Sequence, residues 1–456
     1  MKDHLSLPEE IKTSLEASWI EGIPANIMLV AIDYYLIPFA LFLGAAPQQI
    51  GFLVAIPHLL GSISQLTAVR VVRSAGSRLK FLITAAALQA SSVLPMAFFA
   101  LMAFPGRIAL LILLTSLFRI TGNLIATAWG SLMSDYLPPH LRGRYLGWRA
   151  QIVGLAGLVG TFMAGLLLSL AKRASAAMGF FLLFLILAAC RFVSSRLFKK
   201  MTDIPYLEKP ESRFTFFMFL RRFRKSNFVK FVLYVASVTF ATQLAAPYIS
   251  VYMLQNLKFD YLHYTCVQLS NLTAGLISFP LWGRHADHVG NAKVLKTASF
   301  LIPLIPLLWT LGRNFYYLLG VEFFSGFVWG GFNLCATNFV FDAVSAPKRV
   351  RCLGYLNLLN GVAIFLGASL GGFLAEHLPP LGTTPLLTLF LVSSILRFMA
   401  HFLLSGKFLE VRESVSHVSS HKLFFSVIGV RPIMQREEGW SGFTLLKRPF
   451  DWKTKS

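Results

Sequence analysis

The sequence predicts an all-α membrane protein with twelve transmembrane helices in two pseudo-symmetric six-helix bundles. Three observations carry that expectation: a composition too apolar for a soluble chain, a succession of long apolar runs, and a polar signature that occurs twice. Of 456 residues, 55% are hydrophobic and only 14% are charged, and the mean hydropathy is +0.64. A chain of this length with that balance belongs in a bilayer.

A helix needs about 20 apolar residues to cross the hydrocarbon core. Runs of that kind lie at 18–43, 48–70, 79–103, 107–133, 145–171, 176–197, 229–255, 262–283, 292–312, 315–341, 352–376 and 382–406. They are continuous, whereas barrel strands would alternate apolar with polar residues, so helices are expected. The first run is not read as a cleavable signal peptide: charged residues precede it without a short apolar segment, and it carries Asp33 internally.

The repeated signature is SDYLPPHLRGRYLGWRA at 134–150, echoed by FDAVSAPKRVRCLGYLN at 341–357. Asp135 aligns with Asp342, Arg142 with Arg349, Arg144 with Arg351 and Gly147 with Gly354, each pair 207 positions apart (342 − 135, for instance). Gly154, Gly160 and Gly165 meet Gly361, Gly367 and Gly372 at the same offset. Each copy joins a fourth span to a fifth, or a tenth to an eleventh. Asp and Pro open the turn, arginines stand near the start of the next helix, and the glycines are expected to let that helix approach a neighbour closely. The duplication divides the chain into an N-terminal segment 1–17, a first bundle 18–197, a basic central loop 198–228, a second bundle 229–406 and a tail 407–456.

The formal charge of +22 is distributed by loop. One side holds Arg70, Arg73, Arg78, Lys80, Arg142, Arg144, Arg149, the dense 196–230 segment, Arg284, Lys293, Lys348, Arg349 and Arg351; the other holds only Arg107, Lys172, Arg173, Lys258 and Arg313. This is the positive-inside pattern. It places both termini on the cytoplasmic side of a cell (inner) membrane and argues against a nucleic-acid partner. The stretch FTFFMFLRRFRKSNF at 214–228 reads either as a helix lying on an anionic leaflet or as a plain linker. The apolar patch KLFFSVIGV at 422–430 is expected to dock weakly or stay mobile. Cys190, Cys266, Cys335 and Cys352 lack metal or disulfide spacing and read as small core residues. No cofactor is implied. A phosphate-binding G-x-x-x-x-G-K-[ST] loop is missing from the sequence, and no nucleophile and base converge, so neither an ATP-driven pump nor an enzyme is expected.

Twelve spans in two halves, a long central loop and D-x-x-P-x-x-x-R-G-R at 135–144 resemble the major facilitator superfamily of secondary transporters over roughly residues 15–410. The family's G-x-x-x-D-x-x-G loop with a following basic residue is matched by Gly283, Asp287, Gly290 and Lys293; the first half has Val69, Arg73 and Gly76, and so has lost the acid. The resemblance implies alternating access about a midplane site. It also implies that Asp287 latches the cytoplasmic side near Arg144 or Arg149 in the outward-facing state, together with the turn residues Asp135, Arg142, Asp342, Arg349 and Arg351.

An ionisable group deep in a membrane helix is costly and needs an explanation. Asp33 lies roughly 23 Å into the first span and Arg119 roughly 24 Å from the cytoplasmic end of the fourth, so both fall near mid-membrane. In the family resembled, helices one, four, seven and ten line the central cavity. Arg119 is therefore a candidate binder of an anionic or hydroxyl-bearing solute, with Asp33 as its counter-ion or a proton site; the alternative is a pair that only ties two helices together. Asn123, Gln243, Tyr248, Tyr252, Trp329 and Asn333 are candidates to complete the pocket, although interhelical packing with hydrogen bonds is the first reading of any single one of them. Glu322 is a candidate gate or second proton site unless it simply reaches outer water. Glu21 is read as interfacial and His58 as a satisfied core histidine.

The expected function is secondary transport of a small polar or anionic organic solute by a monomer in the lipid bilayer, driven by protons or by the solute's own gradient. The alternatives are a flippase for an amphipathic lipid and a non-transporting sensor on the same scaffold.

Overall fold

A computed structural model describes residues 7–172, 174–205, 226–412 and 419–427. The central 214–225 stretch and residues 428–430 of the tail patch lie outside them. The first six helices are α1 (Glu9–Phe42), α2 (Pro47–Ser74), α3 (Arg78–Phe99), α4 (Arg107–Tyr136), α5 (Pro139–Ala171) and α6 (Ala176–Leu197). The second half brings α7 (Asn227–Gln243), α8 (Ala246–Val251), α9 (Tyr261–Val289), α10 (Asn291–Leu301), α11 (Leu304–Leu311), α12 (Phe315–Ala343), α13 (Ala346–His377) and α14 (Pro385–Leu404), followed by the short α15 (Ser420–Val427).

Two of the spans are broken. α7, α8 and a π-helical turn at Tyr252–Asn256 together make the seventh. Pro247 in the first turn of α8 has no N–H to continue the ladder, so the helix restarts there. α10 and α11 make the ninth, interrupted before Leu304 where Pro303 stands. Among the described residues, eleven spans are long and apolar enough on their own to cross a membrane. The twelfth, α9, is diluted by Gln268, Ser270, Asn271 and Thr273 but forms a continuous helix all the same.

The described residues fall into two compact units, one within Met1–Leu36 and Ser64–Glu208, the other within Ile37–Ile63 and Lys209–Arg436. The expected boundary between halves is thus crossed: the end of α1 and most of α2 pack with the second half. Small residues explain it. A Cβ on Gly51 of α2 would strike the Ala368 carbonyl of α13, and one on Gly361 of α13 would strike Ser62 of α2, so the two backbones meet at a distance only glycine permits. In the first unit the corresponding close approach uses Gly157 and Gly160 of α5 against Asn26 and Ile27 of α1, whereas Gly147 and Gly154 face open space. The glycine expectation therefore holds for part of the stripe only.

The repeated turns do the same work in both units. Arg142 donates through Nη2 to the Ser134 and Leu137 carbonyls at 2.7 and 3.1 Å, closing the C-terminus of α4. Arg349 donates to the Val344 and Phe341 carbonyls at 3.0 and 2.9 Å, closing that of α12. A guanidinium there satisfies the last carbonyls and opposes the negative end of the helix dipole.

After its last long helix each unit continues as a strap. In the first, residues 198–205 run back under the bundle with Phe198 and Met201 buried. Arg78, at the start of α3, donates to Asp135 Oδ2 at 2.6 Å and to the Ile204 carbonyl at 2.7 Å, while Asp203 accepts from the Leu79 amide at 3.4 Å. In the second, residues 405–412 do likewise. Phe408 is wholly buried among Phe231, Tyr234 and Phe339. Asn227 clasps Leu409 with two hydrogen bonds of 2.7 and 2.8 Å. Glu410 accepts from the Ala292 amide at 2.6 Å, a carboxylate on the N-terminus of α10. Gly290 has φ +88°, and a Cβ there would overlap the Glu410 carboxylate, so this position of the loop motif is doubly reserved for glycine. Asn291 stands where the first unit has Arg78; it donates to Asp342 at 2.6 Å, and Arg412 of the strap supplies the missing cation at 2.8 Å.

The tail is better anchored than its sequence predicts. Leu423 and Val427 of α15 are buried in the core of the second unit, and Ser426 Oγ meets His285 Nε2 at 2.8 Å.

Candidate functional site

The helix α1 lines a cavity with Glu21, Ala25, Leu29 and Asp33, at every fourth position along one stripe of its face. α4 answers with Arg119, Gly122, Asn123, Ala126 and Trp129. Between these stripes, all within the first unit, lies a cavity of about 370 Å³ to which α3 adds Gln89, α5 adds Arg149 and α6 adds Arg191.

At one end Arg119 Nη2 lies 2.5 Å from Asp33 Oδ1. The two side chains are 25% and 49% exposed, so the pair faces the cavity and is not sealed between helices. Asn123 is on the same wall. At the other end Glu21 is enclosed. It accepts a hydrogen bond from Ser194 at 2.8 Å and has Arg149 and Arg191 each 3.5 Å away. Arg191 also donates to Gln89 Oε1 at 2.7 Å, and the Arg149 guanidinium lies 4.3 Å from the centre of the Trp129 ring. The expectation that Glu21 is interfacial is corrected: α1 begins at Glu9, nine residues before the expected span, so Glu21 is carried well inside the bundle and is 3% exposed.

The second-half candidates are placed differently. Tyr248 donates to the Ala368 carbonyl at 2.9 Å, and Tyr252 packs edge-on to Trp309 and Phe390; both are fully enclosed in helix contacts. Gln243 is half-buried at the end of α7, Trp329 packs against Phe332, and Asn333 is exposed on α12. Glu322 does not reach outer water. It is buried and accepts from Asn271 at 2.6 Å and from Trp309 at 3.0 Å. Asp287 has Arg412 as its ion-pair partner at 3.5 Å, Gly283 and Lys293 are half-buried, and Arg144 is exposed at the start of α5. Arg351, opposite number of Arg144, is half-buried in the first turns of α13. His58 is bonded to the Val54 carbonyl of its own helix at 2.8 Å, as a core histidine would be.

Glu21, Arg191, Gln89 and Trp129 thus line the candidate site without having been singled out for it from the sequence, and Arg149, expected near the Asp287 latch, lines it too. The available signal was the lone Arg191 inside the apolar sixth run, an intramembrane charge of the same standing as Arg119.

The family model for the Major Facilitator Superfamily matches residues 25–269 and again 231–449. The chain belongs to the major facilitator superfamily. Curated relatives match in part: a multi-drug resistance efflux pump PmrA homolog of Lactococcus lactis is 28% identical over 177 residues, 37% of this chain and 42% of that protein. The vacuolar basic amino acid transporter 1 of Saccharomyces cerevisiae is 34% identical over 97 residues, 21% and 17% of the two chains. The chain thus spans less than half the length of the curated relatives it matches. Among solved structures, a variant of the nucleoside transporter NupG superposes with a TM-score of 0.68 at 16% identity, covering 87% of this chain and all of that one. A bacterial homolog of the human lysosomal transporter Spinster gives 0.64 at 14%, covering 89% and 99%. These likenesses show the twelve-helix fold of the superfamily.

Proposed function

We propose that this superfamily member is an alternating-access secondary transporter of a small polar or anionic organic solute, held in the cavity between α1 and α4. The observation that carries this reading is the half-open Asp33–Arg119 pair. A pair left half-open to a cavity gains little as a strut, because water weakens its Coulomb attraction, and its open side is free to meet a solute.

Arg119 stays charged whatever its surroundings and is a binder, not a proton carrier. Asp33 is the proton site if coupling is to protons. Glu322, wrapped by Asn271 and Trp309, holds α9, α11 and α12 together. The related proteins are named for drugs, basic amino acids and nucleosides; that spread gives the solute class no single precedent, so the cavity must supply it. The charge distribution of the loops supports an orientation in the cell membrane with both termini in the cytoplasm.

A thermal-shift screen of the purified protein beside Arg119→Gln, with sugars, organic acids, nucleosides, peptides, cationic drugs and lysolipids, tests the site. Anionic or hydroxyl-bearing compounds are expected to stabilise the wild type only. Hits that persist in Arg119→Gln would remove the pair from the binding site, and uphill transport surviving in Asp33→Asn would remove its proton role.

A further inference from the structure

The cavity has an uncompensated charge and two uncompensated donors. Its wall carries Arg119, Arg149 and Arg191 against Asp33 and Glu21, three cations to two anions. Asp33 and Arg119 neutralise each other at one end, so the excess sits at the other, where two guanidinium groups share the one Glu21 carboxylate. Both of those arginines are largely enclosed, at 15% and 3% side-chain exposure, and a buried unbalanced charge is expensive to leave without a counter-ion. The donors are Trp129 Nε1 at the Arg149 end and Arg119 Nε at the other; both are buried and neither has an acceptor among the described residues. Buried donors are nearly always paired, so each marks a place where an acceptor belongs.

The two ends are set by α4 itself. Arg119 and Trp129 are ten residues apart on one helix, or about 15 Å. Between them the wall is Ala25, Leu29, Gly122, Ile125 and Ala126, with Asn123 and Gln89, whose Nε2 lies beside Gly122, as its polar side chains. A cavity of about 370 Å³ whose ends are about 15 Å apart accommodates an elongated solute.

We infer that the ligand of this site is a slender organic anion. Its carboxylate or phosphate end takes the excess charge at Arg149 and Arg191 and accepts from Trp129. Its apolar body lies along the α1 and α4 stripes, and a neutral acceptor such as a hydroxyl reaches Arg119 Nε. The inference rests on the transport reading above and names the solute class for it. It also reverses the expected polarity of the site: the anion belongs at the Glu21 end, and the Asp33–Arg119 pair, already neutral, receives the uncharged end.

The test uses ω-hydroxydodecanoate and its neutral amide, titrated onto the full chain in lipid nanodiscs with empty nanodiscs as the partition control. In the wild type the carboxylate is expected to bind at least about tenfold more tightly than the amide. Glu21→Gln, which raises the local excess charge, should widen that ratio; Arg149→Gln should erase it. Trp129→Phe keeps the ring, removes the orphan N–H and should weaken the carboxylate a few-fold with the amide unchanged, which a general folding defect would not do. Equal binding of the two probes, no binding of the carboxylate, or parallel losses in Glu21→Gln and Arg149→Gln would overturn the inference. Organic cations emerging as Arg119-dependent hits in the broad screen would overturn it too, while leaving the transport reading in place.

Discussion

Arg142 and Arg349 illustrate at the scale of the residue how a repeated letter becomes a repeated physical role. Each bridges two carbonyls at a helix C-terminus, which an arginine fork can do and a single ammonium cannot do as well. Arg142→Ala and Arg349→Ala are each expected to cost about 1 kcal/mol, read as similar drops in melting temperature of the detergent-solubilised protein; a loss in one and none in the other would show that the two turns are not equivalent. The same scale shows what could be read from sequence. Asp33 and Arg119 stand out because each interrupts a long apolar run. Glu21 and Arg149 do not, because they stand near the ends of their runs, where a charge is normally explained by nearby water; only the early start of α1 carries Glu21 inward. Trp129 and Gln89 give no signal at all, since a tryptophan or a lone amide in a membrane helix is ordinary.

At the scale of the element, the straps and α15 matter most. The second strap is held by Phe408, the Asn227 clasp, Glu410 on α10 and Arg412 on Asp342 and Asp287. The hydrogen bond to the Asp342 carboxylate raises the already high pKa of Arg412, so the guanidinium stays charged through the physiological range and the strap is no pH sensor on that side. Arg412→Ala should leave melting almost unchanged, since exposed pairs contribute about 0–1 kcal/mol, yet speed amide exchange at Leu409 and Val411; unaltered exchange would mean that Arg412 does not hold the strap. Leu423→Asp places a charge in the core of the second unit and should release α15, seen as faster amide exchange across Ser420–Val427; unchanged exchange there would mean that Leu423 does not hold the helix. Helix positions were legible to within about six residues from hydropathy, except that α1 starts nine residues early. The breaks at Pro247 and Pro303 and the firm docking of α15 were not, because they depend on what each segment packs against.

For the whole molecule, the internal duplication made the fold readable: a 207-residue offset in the turns implies two halves of like design, and the superfamily match agrees. What it could not convey is that residues 37–63 pack with the second half, because that grouping is decided by glycine contacts between distant segments and not by order along the chain. If the proposed topology holds, single cysteines introduced near residue 8 and near residue 410 should react with a membrane-impermeant maleimide only after the membrane is opened from the cytoplasmic side; labelling from outside would invert the orientation.

The two straps bear on how the chain came to be. Asp203 and Glu410 are 207 positions apart, as are Lys200 and Lys407, and Leu197 and Leu404, the same offset that relates the turns. The copied unit therefore did not stop at its sixth helix. The strap belongs to the repeated unit, so the connector between the two like halves begins only after residue 205.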